Sequence, residues 1–256
     1  MIDIHTHVLP GVDDGPQTIE SSLEILKKAA DAGVTKVVAT PHVVDSASVY
    51  NDRGIGDALA AVKNRLVQEG ITIELLRGAE LFLAPELGRR LEEQKDLTLN
   101  GTGRYVLVEL PVYEIPLYTE QTLFDLSVQG VVPILAHPER YFDIQKNPDR
   151  LQGLIEKGVL TQLNIGSITG AYGRRVQKAA KTLLAKKLIH MVASDVHACP
   201  NGDYPLQSGF AALAAVAGPD SAREMVTGIP EKIIKGEDIR SQNHTETAAL
   251  PEGDRT

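Results

Sequence analysis

The stretch Ile2-Asp3-Ile4-His5-Thr6-His7 decides the reading of this 256-residue chain. Its alternating isoleucines predict a strand over Ile2–Ile4, starting almost at the first residue, and that strand ends in chemistry. In extended backbone, residues two apart point the same way, so His5 and His7 can approach one ion from one side. An isolated His-x-His pair is more often two exposed histidines, or one core histidine beside an exposed one. Here the arrangement recurs along the chain.

Further apolar, β-branched runs predict strands at Lys36–Thr40, Ile71–Gly78, Tyr105–Leu110, Val131–Ala136, Leu160–Asn164 and His190–Ser194. Helical periodicity lies between them, over Ile19–Ala32, Asp57–Glu69, Thr119–Gln129, Asp149–Lys157 and Arg174–Lys187. Gly33, Gly70, Gly130 and Gly158 follow the first four as C-terminal stops. Repeated strand-then-helix units imply an α/β protein with a parallel sheet. Seven such units suggest a closed or nearly closed barrel, whose strands' C-terminal ends share one mouth. An open doubly wound sheet is the alternative. No linker divides residues 1–240, which read as one domain. The polar, aperiodic tail 241–256 is expected to be disordered.

Six of the other strand ends and one loop carry ligand types or their substitutes. His42 follows the second strand and Glu80 the third; Glu109 lies on the fourth, His137 after the fifth, and Asp195 and His197 after the seventh. The sixth offers only Asn164. Five of the seven histidines therefore sit where a barrel would gather them, with His190 and His244 left aside. Glu80 and Glu109 follow apolar runs, where a carboxylate is costly unless it pairs with a base or binds a metal. The turn Leu9–Pro16 can hold Asp14 over the mouth as a further ligand, whereas Asp13 reads as a solvated turn residue or helix N-cap. Nitrogen and oxygen donors without thiolate suit manganese, iron or zinc.

Net charge is −8, from 34 acidic and 26 basic residues, which speaks against a nucleic-acid partner. No apolar run approaches the roughly 18–20 residues that span a bilayer. The first residues lack a basic and apolar leader pattern. The expectation is a soluble, cytoplasmic protein with no membrane insertion. The single cysteine, Cys199, excludes an internal disulfide. It also fails as a phosphatase nucleophile, because the arginine such a loop needs six residues later is Pro205.

The pattern His5-x-His7, His42, Glu80, Glu109, His137 and Asp195-x-His197 resembles the polymerase and histidinol phosphatase (PHP) superfamily. The opening IDIHTHVLPGVDDGP, with TPH at 40–42, GAEL at 78–81, AHPERY at 136–141 and ASDVH at 193–197, is similar to one branch. That branch comprises the bacterial manganese-dependent tyrosine-protein phosphatases of capsule and exopolysaccharide gene clusters. The resemblance covers roughly residues 1–240 and implies a distorted TIM-like (β/α)7 barrel of the PHP type with three divalent metals. By motif, one metal would take His5, His7, Glu80 and Asp195, a second Glu80, Glu109 and His137, and a third Asp14, His42 and His197. Arg140 would bind the substrate phosphate, and Asp195 and His197 would belong to the catalytic set. A second phosphate-binding arginine often follows the SDxH motif; Val196–Pro205 contains none. The implied reaction is attack of metal-activated hydroxide on phosphotyrosine of a protein, such as a tyrosine kinase of polysaccharide export. The resemblance also suggests self-association. Two other readings stay open: a superfamily phosphatase of small molecules such as histidinol phosphate, and a non-catalytic, metal-stabilised interaction module.

On this reading Cys199→Ser keeps phosphatase activity, chelators abolish it, and thiol alkylation leaves it. A dead Cys199→Ser protein that retains its metals would overturn the metal-based mechanism.

Overall fold

The computed structural model describes residues 1–43, 54–199 and 202–239. The tail expected to be disordered lies outside the described residues. The strands are β1 (Ile2–Thr6), β2 (Lys36–Ala39), β3 (His42–Val43), β4 (Glu74–Arg77), β5 (Glu80–Phe82), β6 (Tyr105–Glu109), β7 (Val132–Ala136), β8 (Leu160–Asn164) and β9 (Met191–Ala193). All pairings are parallel, in the orders β1-β2-β4 and β3-β5-β6-β7-β8-β9.

Seven strand positions thus follow chain order, but the second and third are each split. Pro41, with no N–H to donate, separates β2 from β3. Gly78 separates β4 from β5, and a side chain there would meet Val38 Cγ1 at 2.9 Å and Leu99 Cδ2 at 3.1 Å. The lower halves β2 and β4 pair with each other and, through β2, with β1; the upper halves β3 and β5 pair with each other and, through β5, with β6. Ile71–Ile73, expected in the third strand, precede it; Glu74 is the first residue in register, opposite Lys36.

The ring comes back on itself at the mouth. Thr6 and Val196 form a parallel bridge, His7 N donates to Val196 O at 2.9 Å, and Asp195 N donates to His5 O at 2.9 Å. This order rules out the doubly wound alternative, in which the first strand is central. The architecture is a distorted (β/α)7 barrel.

Helices cover its outside: α1 (Ile19–Asp31), α2 (Ile55–Gln68), α3 (Leu87–Glu93), α4 (Thr119–Val128), α5 (Phe142–Lys146), α6 (Asp149–Glu156), α7 (Ile165–Thr169), α8 (Arg174–Ala185), α9 (Pro205–Ala217), α10 (Pro219–Arg223) and α11 (Ile229–Lys235). The five predicted helices are all present, with ends displaced by one or two residues. The signals in α1 are typical: Thr18 Oγ1 accepts from Ser21 N at 3.3 Å, Leu23, Ile25, Leu26 and Ala29 are buried, and Gly33 (φ +79°) ends it.

One apolar cluster fills the barrel and another packs helices against its outer face. Inside lie Ile2, Ile4, Val38, Leu107, Ile134 and Met191. The floor is closed by Leu99, from a 3-10 turn, and by Ile233 and Ile234 of α11. Asn100 Nδ2 donates to Ile234 O at 2.9 Å, and Tyr105 Oη donates to Glu237 O at 2.7 Å. Helix α11 is therefore a plug opposite the mouth.

Close packing predicts a sensitive point outside the barrel. A Cβ on Gly209 of α9 would lie 2.3 Å from the buried Ile165 Cγ1. Gly209→Ala improves helix propensity by about 1 kcal/mol, but overpacking costs about 1–3 kcal/mol and each kcal/mol moves Tm by roughly 2–4 °C at this size. Thermal unfolding should show a lower Tm; an unchanged or raised Tm would mean α9 slides at no cost.

Candidate metal centre

The residues at the strand ends converge. In β1, Asp3 opposes Val37 while Thr6 opposes Ala39, so one extra residue bulges from the strand. Ile2 and Ile4 face the barrel interior, yet His5 also reaches the mouth. Asp3, which simple alternation puts on the face of His5, turns away instead. It accepts from Ser194 N at 3.1 Å and Tyr204 Oη at 2.7 Å and so ties β1 to the segment after β9. His137 (φ +36°) and Asp195 (φ +54°) adopt left-handed backbone, which a non-glycine residue takes only when surroundings impose it.

Glu80 is the hub and is fully buried. Its Oε2 lies 3.2 Å from His5 Nε2, 3.4 Å from His7 Nε2 and 3.1 Å from His42 Nδ1. Its Oε1 lies 2.9 Å from His137 Nε2. Asp195 Oδ1 lies 3.3 Å from His5 Nε2 and 3.4 Å from His7 Nε2. At the outer rim, Asp14 Oδ1 is 3.1 Å from His197 Nε2 and 3.7 Å from His42 Nε2, and Glu109 Oε1 is 3.2 Å from His42 Nδ1. All nine expected ligands therefore share one cluster. Their atoms fall into overlapping groups: His7, Asp14, His42 and His197; His5, His7 and Glu80; His5, His137 and Asp195; His42, Glu80 and Glu109. The first contains the whole of the implied third set. Glu109 approaches His42 and Glu80 and does not group with His137.

Neighbours aim these groups. His7 Nδ1 donates to Asp13 Oδ2 at 2.7 Å, and Asp13 also accepts from Gly15 N at 2.9 Å and His42 N at 3.1 Å. The expectation of a solvated Asp13 is therefore corrected: it is buried and leaves His7 Nε2 free to face the cluster. Gly15 makes this turn because a side chain there would sit 2.6 Å from His7 O. His5 Nδ1 donates to Gln162 Oε1 at 2.7 Å, Gln162 Nε2 to Asn164 Oδ1 at 2.9 Å, and Asn164 Nδ2 to Asp195 Oδ2 at 2.6 Å. The sixth strand position thus contributes a relay of amides that orients ligand-type residues on both sides. Gln162 and Asn164, two apart on one strand, carried the period-2 signal for it; Asp13 carried no signal that separates it from an ordinary turn aspartate.

Arg140 stands at the rim. Its Nη1 donates to Asp195 Oδ2 at 3.2 Å, and its Cζ lies 5.2 Å from the centre of the Tyr172 ring. Two carboxylates close to Arg140 in sequence are engaged elsewhere: Glu139 accepts from Ser167 Oγ at 2.6 Å, and Asp143 binds Arg150 Nη1 at 2.6 Å. Gly166 admits the Tyr172 ring, since a Cβ there would meet Tyr172 Cε2 at 3.2 Å. A cavity of about 590 Å³ opens beside Asp195 and His197, with Tyr172, Cys199, Asp203 and Ser208 on its walls.

The electrostatics match a cation site. Burial alone would depress His5, but the carboxylates of Glu80 and Asp195 push it up to about 9. His7 is likewise held well above its usual value: burial opposes the shift, and Asp13, Asp195 and Glu80 outweigh it. Glu80 sits well below the usual carboxylate range despite its burial, through charged His5 and its imidazole contacts. Glu80 Oε2 and His137 Nδ1 are buried with no hydrogen-bond partner among the described residues. Buried ligand atoms crowded at 3–4 Å, four carboxylates and a nitrogen–oxygen donor set fit divalent cations.

The profile of the capsular polysaccharide synthesis CpsB/CapC family matches residues 1–235. This chain belongs to that family. The tyrosine-protein phosphatase YwqE of Bacillus subtilis is 33% identical to it over 242 residues, 94% of each chain. A crystal structure from work on YwqE of Bacillus subtilis and CpsB of Streptococcus pneumoniae, termed unique metal-dependent tyrosine phosphatases, superposes with a TM-score of 0.87. It is 33% identical and the match covers 93% of this chain and 96% of that one. Histidinol phosphate phosphatase from Lactococcus lactis shares the fold, at 12% identity and a TM-score of 0.58 over 85% of this chain and 95% of its own. The CpsB/CapC profile spans every residue of the cluster described above.

The His5 shift sets a pH dependence. Without metal, the stability contributed by protonated His5 is fully present below its usual value near 6.5 and is lost as pH rises through about 9. Metal loading has the opposite sign, because ligation displaces those protons. Across that window the chelator-treated protein should lose Tm while manganese affinity rises, as read by thermal unfolding and calorimetry. Asp13→Asn should weaken metal binding about 10–100-fold. A metal-free Tm that climbs over the same window would mean His5 is neutral throughout.

Proposed function

We propose that this protein is a metal-dependent phosphatase that hydrolyses phosphotyrosine in cytoplasmic proteins of capsule or exopolysaccharide synthesis. The observation that carries the proposal is Arg140 at the rim of a nine-residue ligand cluster, within 3.2 Å of Asp195. The names of its high-coverage relatives support the same reading. His5, His7, Asp14, His42, Glu80, Glu109, His137, Asp195 and His197 would hold the metals, up to three, with manganese favoured and iron or zinc compatible with the donors. Divalent ions held there would supply Lewis acidity, polarising phosphoryl oxygens and making water nucleophilic near neutral pH.

The chain's own residues do the rest. Arg140 offers a planar fork of donors to two phosphoryl oxygens and offsets charge that grows in the transition state. Tyr172 lies under the guanidinium and holds it over the opening. Asp13 and Gln162 fix His7 and His5 through their Nδ1 atoms, so their Nε2 atoms need no rearrangement during turnover. The cavity beside His197 takes the aryl group. A phenolate leaving group, pKa about 10, departs with less acid assistance than a serine alkoxide. The physiological substrate is proposed to be a tyrosine kinase of polysaccharide export.

Comparing turnover of a phosphotyrosine peptide and histidinol phosphate by manganese-loaded protein tests the substrate class; preference for the alkyl phosphate would overturn it. Arg140→Ala should lower kcat/KM about 10²–10³-fold with metal content near wild type. Arg140→Lys should rescue only part of that loss, because lysine lacks the fork. An Arg140→Ala enzyme within a few-fold of wild type would mean other groups hold the phosphate.

A further inference from the structure

Residues 157–194 contain seven lysines and arginines and no aspartate or glutamate, in a chain whose net charge is −8. Four of those cations, Arg174, Arg175, Lys178 and Lys181, lie on α8 with their side chains exposed. None of the four pairs with a carboxylate among the described residues. Helix stability does not explain them. The two arginines occupy the first turn, at the positive end of the helix dipole, where acidic residues are favoured. Gly173, the N-cap, supplies no side-chain cap either.

The position of α8 points to a use. Arg140 lies over the Tyr172 ring at 5.2 Å, and Arg175 lies over the Phe142 ring at 4.1 Å. Segments 140–142 and 172–175 therefore clasp each other, and the cationic strip starts where the phosphate-binding arginine is held. Lys146 adds a second cation over Phe142, at 4.0 Å. From there a groove of about 230 Å³ runs between α8 and the α5–α6 segment, with Arg175 and Lys178 on one wall and Ile144 and Pro148 on the other. No acidic residue lines the groove among the described residues, and two on the α5–α6 segment are already paired: Asp143 with Arg150 at 2.6 Å and Asp149 with Lys186 at 3.3 Å. A twelve-residue helix such as α8 is roughly 18 Å long, the span of five or six extended residues.

We propose that this strip docks acidic residues flanking the phosphotyrosine of a polypeptide substrate, a step that rests on the phosphatase reading above. A protein of net charge −8 repels a phosphorylated acidic segment at long range, and a cationic strip leading from Arg140 reverses that locally. The narrow groove with apolar contacts suits one extended polypeptide. An extended polyanion such as nucleic acid would meet the acidic remainder of the surface.

The test uses manganese-loaded protein, two phosphotyrosine peptides with aspartate- or lysine-rich flanks, and p-nitrophenyl phosphate. Wild type should favour the acidic peptide about tenfold or more in kcat/KM, and added salt should shrink the preference. The triple variant Arg174→Glu, Lys178→Glu, Lys181→Glu spares the Phe142 contact and should erase or invert the preference, with p-nitrophenyl phosphate turnover within about twofold of wild type. Equal kcat/KM for both peptides in wild type, or an unchanged preference in the variant, would overturn the docking proposal. So would cosedimentation of wild type with phosphatidylserine vesicles that the variant loses while its peptide preference persists. Failure to turn over either peptide, with p-nitrophenyl phosphate hydrolysed, would defeat the protein-phosphatase reading itself.

Discussion

Glu80 Oε2 is buried, with three imidazole nitrogens within 3.4 Å and, among the described residues, no hydrogen-bond donor of its own. A buried carboxylate is expensive unless charge or hydrogen bonds compensate it. The protein alone compensates by protonating imidazoles, which is why His5 and His7 are pushed upward and Glu80 downward. Divalent cations held there would replace those protons at the same place. Several local irregularities serve that crowding. The third strand breaks at Gly78 so that β5 starts on Glu80 and pairs it with His42. The bulge in β1 brings His5 to the mouth while Asp3 ties the strand to Tyr204.

The left-handed residues show how the strain is held. His137 and Asp195 each anchor through their own backbone: His137 N donates to Gln162 O at 2.7 Å and Asp195 N to His5 O at 2.9 Å. Each bond reaches a neighbouring strand of the ring. The ring is itself supported by a filled interior, from Ile4 near the mouth to Ile233 and Ile234 at the floor. A packed barrel floor and an ordered mouth are thus two ends of one structure, with irregular backbone concentrated at the residues of the cluster.

The course of the chain was legible because apolar runs such as Tyr105–Leu110 end at turn signals and alternate with helical periodicity. The residues of the cluster were legible because histidine and carboxylate recur at those ends. What escaped was decided by partners distant in sequence. The breaks at Pro41 and Gly78 read as strand ends, yet the next residues pair again with other neighbours. Asp13 looks like any turn aspartate until the fold sets His7 Nδ1 2.7 Å away. Tyr172 carries no periodicity or motif, and its place under Arg140 depends on the space left at Gly166.

Arg140 and Asp195 show why the amide relay from the sixth strand position matters. Before substrate arrives, the guanidinium donates to Asp195 Oδ2 at 3.2 Å. Gripping a phosphate, the role proposed for Arg140, would require it to loosen that bond, and a lone buried carboxylate would resist because its charge would be stranded. Asn164 Nδ2 donates to the same oxygen at 2.6 Å and is itself held by Gln162, which also orients His5. The carboxylate therefore keeps a donor when the arginine turns outward, and the imidazole at the far end of the relay keeps its tautomer. Tyr172 limits how far the guanidinium can travel. Arg140 can thus trade one anion for another while Asp195 keeps a donor, which is what its proposed phosphate contact would require.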